Sequence, residues 1–138
     1  MFHYRKNFKK YESFPKAKHC AFCEEDMTPR IIRETEYAYI IPNRVAYDLW
    51  EMREVTDHLL IVPKQHVASL SELSPEAQID IMKLYGEYED QNFNVYARGR
   101  DASARTVAGH QHTHLIRTKQ ERVHAQLAVV KPRMLLKI

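Results

Sequence analysis

The apolar and polar positions of the chain fall into segments with different periods. Tyr37–Pro42 (YAYIIP) is rich in β-formers and ends at Pro42-Asn43, a turn signal. His58–Pro63 (HLLIVP) is a second apolar run stopped by a proline. Between them, Arg44 to Thr56 shows no clear period and reads as an irregular stretch holding the only tryptophan, Trp50. Ser74-Pro75-Glu76 then opens a helix. Ser74 can cap it, Pro75 loses no needed donor at the first position, and Glu76 suits the positive end of the dipole. Ala77, Ile81, Leu84 and Tyr88 recur on one side, with Asp80, Lys83, Glu87 and Asp90 on the other. This period predicts an amphipathic helix over Pro75–Gln91 with one face on a sheet. Phe93–Ala97, His112–Arg117 and Ala125–Val130 read as further strands. Few helices and short helix-free links between strands favour an antiparallel α+β sheet over a doubly wound one.

His110-Gln111-His112-Thr113-His114 is the sharpest local pattern. A strand has period two, so the three imidazoles are expected on one face, about 6.5 Å apart. Packing explains such a row poorly, because each ring needs partners for two nitrogens. Two chemistries want it. Three neutral imidazoles can hold a metal in a metal-dependent hydrolase. Alternatively, one imidazole can act as a nucleophile toward phosphorus while its neighbours hold phosphate oxygens. Imidazole titrates near neutrality, so both a lone pair and a donor are within reach.

Composition sharpens this. The 138 residues suit one domain, and no apolar run is long enough for a membrane helix. Three glycines exclude a glycine-rich phosphate loop, so phosphate must be met by side chains. The net charge of +3 is divided. Residues 1–19 carry six Lys/Arg and one Glu, and so do residues 117–138, giving +5 each; the middle carries nine Lys/Arg and 16 Asp/Glu, giving −7. Basic ends on an acidic body suggest a nucleic-acid or polyphosphate contact, or plain solvated surface. The first ten residues lack the apolar core of an export signal, so reduced cysteines and the cytoplasm are expected. Cys20 and Cys23 have a spacing that suits two thiolates on one tetrahedral ion.

The pieces together resemble the histidine triad (HIT) family of nucleotide hydrolases and transferases. Its hallmark, His-x-His-x-His followed by two apolar residues, is matched by His110 to Ile116. Asp57 to Val67 resembles its other signature strand: a His, an apolar run, then Pro-Lys-x-His. Cys20-Ala21-Phe22-Cys23 resembles the Cys-x-x-Cys at the start of many members, and the Ser74 helix lies where the family has its long helix. The resemblance covers about residues 20–117, between a basic extension at 1–19 and another at 118–138.

It implies a sheet of about five antiparallel strands with one long helix packed on it. It implies catalysis at the α-phosphate of a purine nucleotide or nucleotide conjugate, such as a phosphoramidate or dinucleotide. His112 would be the nucleophile, giving a covalent nucleotidyl-histidine, with its Nδ1–H tied to a main-chain carbonyl. His114 would donate to phosphate oxygens or the leaving group, and His58 would buttress the network. Asn43 matches where a side chain meets the ribose hydroxyls. Zinc-bearing relatives imply a structural zinc on Cys20, Cys23, His66 and His110, and members commonly pair as homodimers. His3, His19 and His124 read as surface histidines, with His19, beside Cys20, as a spare ligand.

The chain departs from the family just before the triad. Where Gly-Gln-Ser or Gly-Gln-Thr is usual, it has Ala104-Arg105-Thr106-Val107-Ala108-Gly109. Arg105 replaces the glutamine and can clamp phosphate, and Thr106 can supply the hydroxyl one residue early. Gly109 is the expected kink that admits the extra residue. With His110, these complete the expected substrate contacts. Tyr47 and Trp50 either stack on a base or pack their loop onto the body. A non-catalytic nucleotide- or RNA-binding module is the other reading.

Overall fold

The computed structural model describes residues 3–4, 18–107, 109–123, 126–130 and 133–137. Most of the basic N-terminal extension and His124 therefore lie outside the described residues, as do the side chains of His3 and of residues 126–137.

Nine strands are described: β1 (His3–Tyr4), β2 (Arg33–Glu34), β3 (Ala38–Pro42), β4 (Leu49–Trp50), β5 (Arg53–Pro63), β6 (Asn94–Ala97), β7 (Thr113–Arg122), β8 (Gln126–Val130) and β9 (Arg133–Lys137). Every pairing is antiparallel. Five strands run side by side in the order β2-β3-β5-β7-β6. β4 pairs with the start of β5, and β1 pairs with β4. β8 and β9 form a separate two-stranded hairpin, so the strand expected at Ala125–Val130 does not join the main sheet. The fold is thus the expected α+β arrangement: an antiparallel sheet with one long helix.

That helix, α2 (Pro75–Glu89), follows a single turn, α1 (Ala21–Glu24). The hydroxyl of Ser74 accepts from the N–H of Ala77 at 3.3 Å, as the capping pattern requires. The four buried residues of α2 are Ala77, Ile81, Leu84 and Tyr88, the stripe read from the period. They pack on Ala38, Ile40, Ile61 and Leu115, which point to one face of the sheet. Each fully buried aliphatic side chain here contributes roughly 1.5–3 kcal/mol. Among the described residues, no helix is long and apolar enough to cross a membrane.

Strand alternation puts the neighbours of these residues on the opposite face. On β5, Leu59 and Ile61 face the helix, while His58, Leu60 and Val62 face away. On β7, Leu115 faces the helix, while His114 and Ile116 face away. The face opposite the helix is therefore where the imidazoles gather.

The bounds of β5 and β7 differ most from expectation. β5 begins at Arg53 rather than His58, because β4 and β5 form a tight hairpin through Glu51 and Met52. Both turn residues have positive φ, 48° and 62°. Turns of this kind usually carry Asn-Gly, and Glu-Met gives no such signal, so Arg44–Thr56 looked irregular. β7 begins at Thr113 and runs to Arg122, against an expected His112–Arg117. Its start is displaced because the N–H of Gln111 goes to the carbonyl of Val67, at 2.6 Å, instead of into the strand ladder.

Candidate active site

His112 is buried against the sheet and its Nδ1 lies 3.0 Å from the carbonyl of His110. A carbonyl can only accept, so Nδ1 carries the proton and Nε2 keeps its lone pair. Burial holds the His112 pKa below the usual histidine value; the bond to the carbonyl opposes this, and the charges of Arg105 and Arg98 add to the lowering. At neutral pH the ring is therefore neutral with a nucleophilic nitrogen.

The ring of His114 is 5.3 Å from that of His112. Its Nδ1 lies 2.9 Å from Nε2 of His58. Nδ1 of His58 accepts from the N–H of Tyr47 at 3.0 Å. When His58 is neutral, its proton is therefore on Nε2 and is donated to His114 Nδ1. His114 in turn carries its proton on Nε2, which makes that nitrogen a donor. The main-chain N–H of Tyr47 thus orients the His58 ring against that of His114. The amide of Asn43 lies 3.0 Å from His58 Nε2, at the end of β3, and its Oδ1 accepts from Val45.

The row of three imidazoles is broken at its first member. Gly109 has φ +76°, a left-handed turn just before His110. The His110 ring consequently sits with Cys20, Cys23 and His66. Cys20 Sγ lies 3.4 Å from His110 Nδ1, and Cys23 Sγ lies 3.3 Å from His66 Nδ1 and 3.5 Å from His110 Nδ1. All four ligand atoms fall within 4.8 Å of one another. Sulfur and nitrogen on one tetrahedral zinc would be roughly 3.6 Å apart, so these residues fit a metal ion closely. Nε2 of His110 lies 2.9 Å from the carbonyl of Pro63, so its proton is there and Nδ1 is free to ligate. Cys20 and His110 are buried, and Cys23 and His66 are exposed. His19 is exposed and stands outside the cluster. The expectation that His110, His112 and His114 might together hold a metal does not fit: among the described residues they form no ligand group, because His110 turns to the cysteines.

His110 links the two halves of this region. Its ring belongs to the four-residue cluster, and its carbonyl holds Nδ1 of His112. Phe22, between the two cysteines, adds an edge contact to both rings, at 5.4 Å and 5.3 Å. Sequence reading passed over Phe22, although its place inside the Cys-x-x-Cys turn tied it to whatever the cysteines approach.

Arg105 was expected at the surface or on phosphate. It is buried, at 8% exposure, and its Nη1 donates to the carbonyls of Ala68 and Arg100 at 2.9 Å and 3.2 Å. Its Nη2 is buried with no hydrogen-bond partner. Thr106 is exposed. Tyr47 and Trp50 are 2% and 3% exposed, stacked 5.7 Å apart, and packed with Ile116. They brace the site instead of presenting a face to a base. Arg98, not singled out from sequence, donates to the Tyr47 hydroxyl at 3.3 Å and lies over the Tyr96 ring.

The side of the strand behind the imidazoles is also tied. Thr113 Oγ1 lies 2.5 Å from the Tyr85 hydroxyl of α2 and accepts from Gln111 Nε2 at 3.0 Å. The strand is thus fastened to the long helix directly beneath the imidazoles.

No family model and no curated protein matches the chain. Solved structures do. The crystal structure of a HIT family hydrolase from Legionella pneumophila Philadelphia 1 superposes with a TM-score of 0.52 at 16% identity, covering 74% of this chain and 95% of that one. The shared architecture, reached at so low an identity, shows that this chain has the HIT-like α+β fold.

Proposed function

We propose that the protein is a nucleotide hydrolase or nucleotidyltransferase that works through a covalent nucleotidyl-His112. His112 Nε2 attacks the α-phosphorus, the bond to the leaving group breaks, and its electron pair departs with that group. Water or another acceptor then attacks phosphorus and releases His112. The observation that carries this reading is the 3.0 Å contact of His112 Nδ1 with the His110 carbonyl, which aims a lone pair from a buried, neutral ring. His114 Nε2–H would stabilise charge building on the phosphoryl oxygens, and His58 would orient it through the 2.9 Å contact with its Nδ1. Asn43 would meet the ribose hydroxyls, and Thr106 and the unpartnered Nη2 of Arg105 would contact phosphate, whereas both ring nitrogens of His110 are taken by the cysteines and the Pro63 carbonyl. The half-buried apolar surface of Phe22, Ile31 and Tyr39 over Ile41 and Leu60 is on the imidazole face and suits a purine.

Cys20, Cys23, His66 and His110 would hold a structural zinc. Bound there, the ion supplies rigidity: a closed set of four ligands that fixes the His110 ring and, through it, the carbonyl on His112. Pairing of two chains belongs to the same proposal, and light scattering distinguishes 16.4 kDa from twice that mass.

The test is release of AMP from an adenosine phosphoramidate, with mass spectrometry for the adduct on His112. Wild type should release AMP and carry the adduct, and His112→Ala should do neither. Equal AMP release by both proteins would refute the reading.

A further inference from the structure

The loop after β6 is rich in arginine. Residues 98–107 contain Arg98, Arg100 and Arg105 against one acid, Asp101. Arg100 is paired with Glu72 at the surface. Among the described residues neither of the other two forms a salt bridge, although Asp101 acts on Arg105 through its charge. Arg98 is held by the Tyr47 hydroxyl and the Tyr96 ring, and both of those rings lie 5.9 Å from the His114 ring. Arg105 is buried and held by the carbonyl of Ala68. The residue before Ala68 is Val67, whose carbonyl takes the N–H of Gln111, so Arg105 sits at the head of the triad segment. Its Nη2 is the one buried side-chain N or O atom among the described residues with no hydrogen-bond partner. A buried donor on a charged group is costly to leave without an acceptor.

We propose that Arg98 and Arg105 are specificity residues that favour a leaving group departing as a phosphate-bearing anion over one departing as an amine. This rests on the nucleotidyl-His112 reading above. The physical reason lies in what a guanidinium can offer. When His112 Nε2 bonds to the α-phosphorus and the P–O bond breaks, the electron pair goes to a phosphate oxygen. That product is stable as an anion, needs no proton, and is stabilised by fixed positive charge and a charge-assisted hydrogen bond from a guanidinium. When a P–N bond breaks, the pair goes to nitrogen, which must gain a proton. A guanidinium holds its protons too tightly to supply one. The arginines therefore lower the barrier for the first departure far more than for the second.

The experiment compares kcat/KM on two substrates sharing one nucleotide: ATP, which leaves as pyrophosphate, and an AMP amidate with a neutral amine. Wild type should favour ATP. Arg98→Ala should shift the ratio toward the amidate by about 10- to 100-fold, the worth of one charge-assisted contact. Arg98→Lys should recover part of the shift. Arg105→Lys keeps the charge but loses the unpartnered Nη2, and should shift the ratio the same way in protein whose thermal melt shows it folded. A ratio that stays within about threefold of wild type in Arg98→Ala and folded Arg105→Lys overturns the inference. If the adduct on His112 still forms from both substrates in that case, the functional reading stands and the selectivity claim alone falls. If wild type forms no adduct from either, both fall.

Discussion

Gly109 is the residue on which the separation of the two sites turns, and replacing it gives a sharp test. Its φ of +76° lies where an L-residue is strained. A Cβ added there would meet His66 Nε2 at 3.6 Å, an ordinary van der Waals distance, so no clash adds to the conformational cost. Placing alanine in the left-handed region costs about 1–2 kcal/mol. Alanine also restricts the unfolded chain, which returns about 0.4–1 kcal/mol. The net expectation for Gly109→Ala is a loss of about 1 kcal/mol, or a melting temperature lower by about 3–5 °C. Asparagine tolerates this region better, so Gly109→Asn should lose less. Urea denaturation of zinc-free and zinc-loaded protein measures both. The loss should be at least as large with zinc, because the strained residue precedes a ligand, His110. An alanine variant as stable as wild type, or an asparagine variant less stable than alanine, would refute the reasoning.

Other expectations follow from the same geometry. Replacing Glu51-Met52 by Asn-Gly should raise stability by about 1–2 kcal/mol, because both positions have positive φ; the urea midpoint measures it. Leu115→Ala should cost about 2–5 kcal/mol, since Leu115 is fully buried between sheet and helix; the same denaturation reads this. Purified protein should carry about one zinc per chain by atomic emission, and Cys20→Ser with Cys23→Ser should abolish it. Stripping the zinc with a chelator should slow AMP release by loosening His110. An unchanged rate would show that the carbonyl holding His112 is set without the ion.

The parts legible in sequence were those written in short periods. The α2 stripe came out residue for residue, because a helix repeats its face every three to four positions whatever it packs on. The cores of β3 and β5 were visible as apolar runs ended by proline. The β4–β5 hairpin was not, since its turn lacks the glycine or asparagine that normally marks one and its first strand is two residues long. The four-residue cluster was reached only through a resemblance, and its geometry then fitted a tetrahedral ion. Arg98 carried no local signal at all. A single arginine after a strand means nothing until Tyr47 and Tyr96, distant in sequence, are seen beside it.

By itself the sequence determined the chemistry at hand: imidazoles at period two, a pair of thiols three positions apart, no glycine loop, and an α+β order of elements. Those are properties of neighbours along the chain, and backbone periodicity translates them directly into faces and turns. The tertiary structure decided how the chemistry was divided. It turned His110 away to the cysteines, left His112 and His114 together, set Tyr47 and Trp50 behind them as packing, and buried Arg105. Each of those outcomes depends on one backbone turn or on contacts between segments far apart in the chain, and a local pattern contains neither.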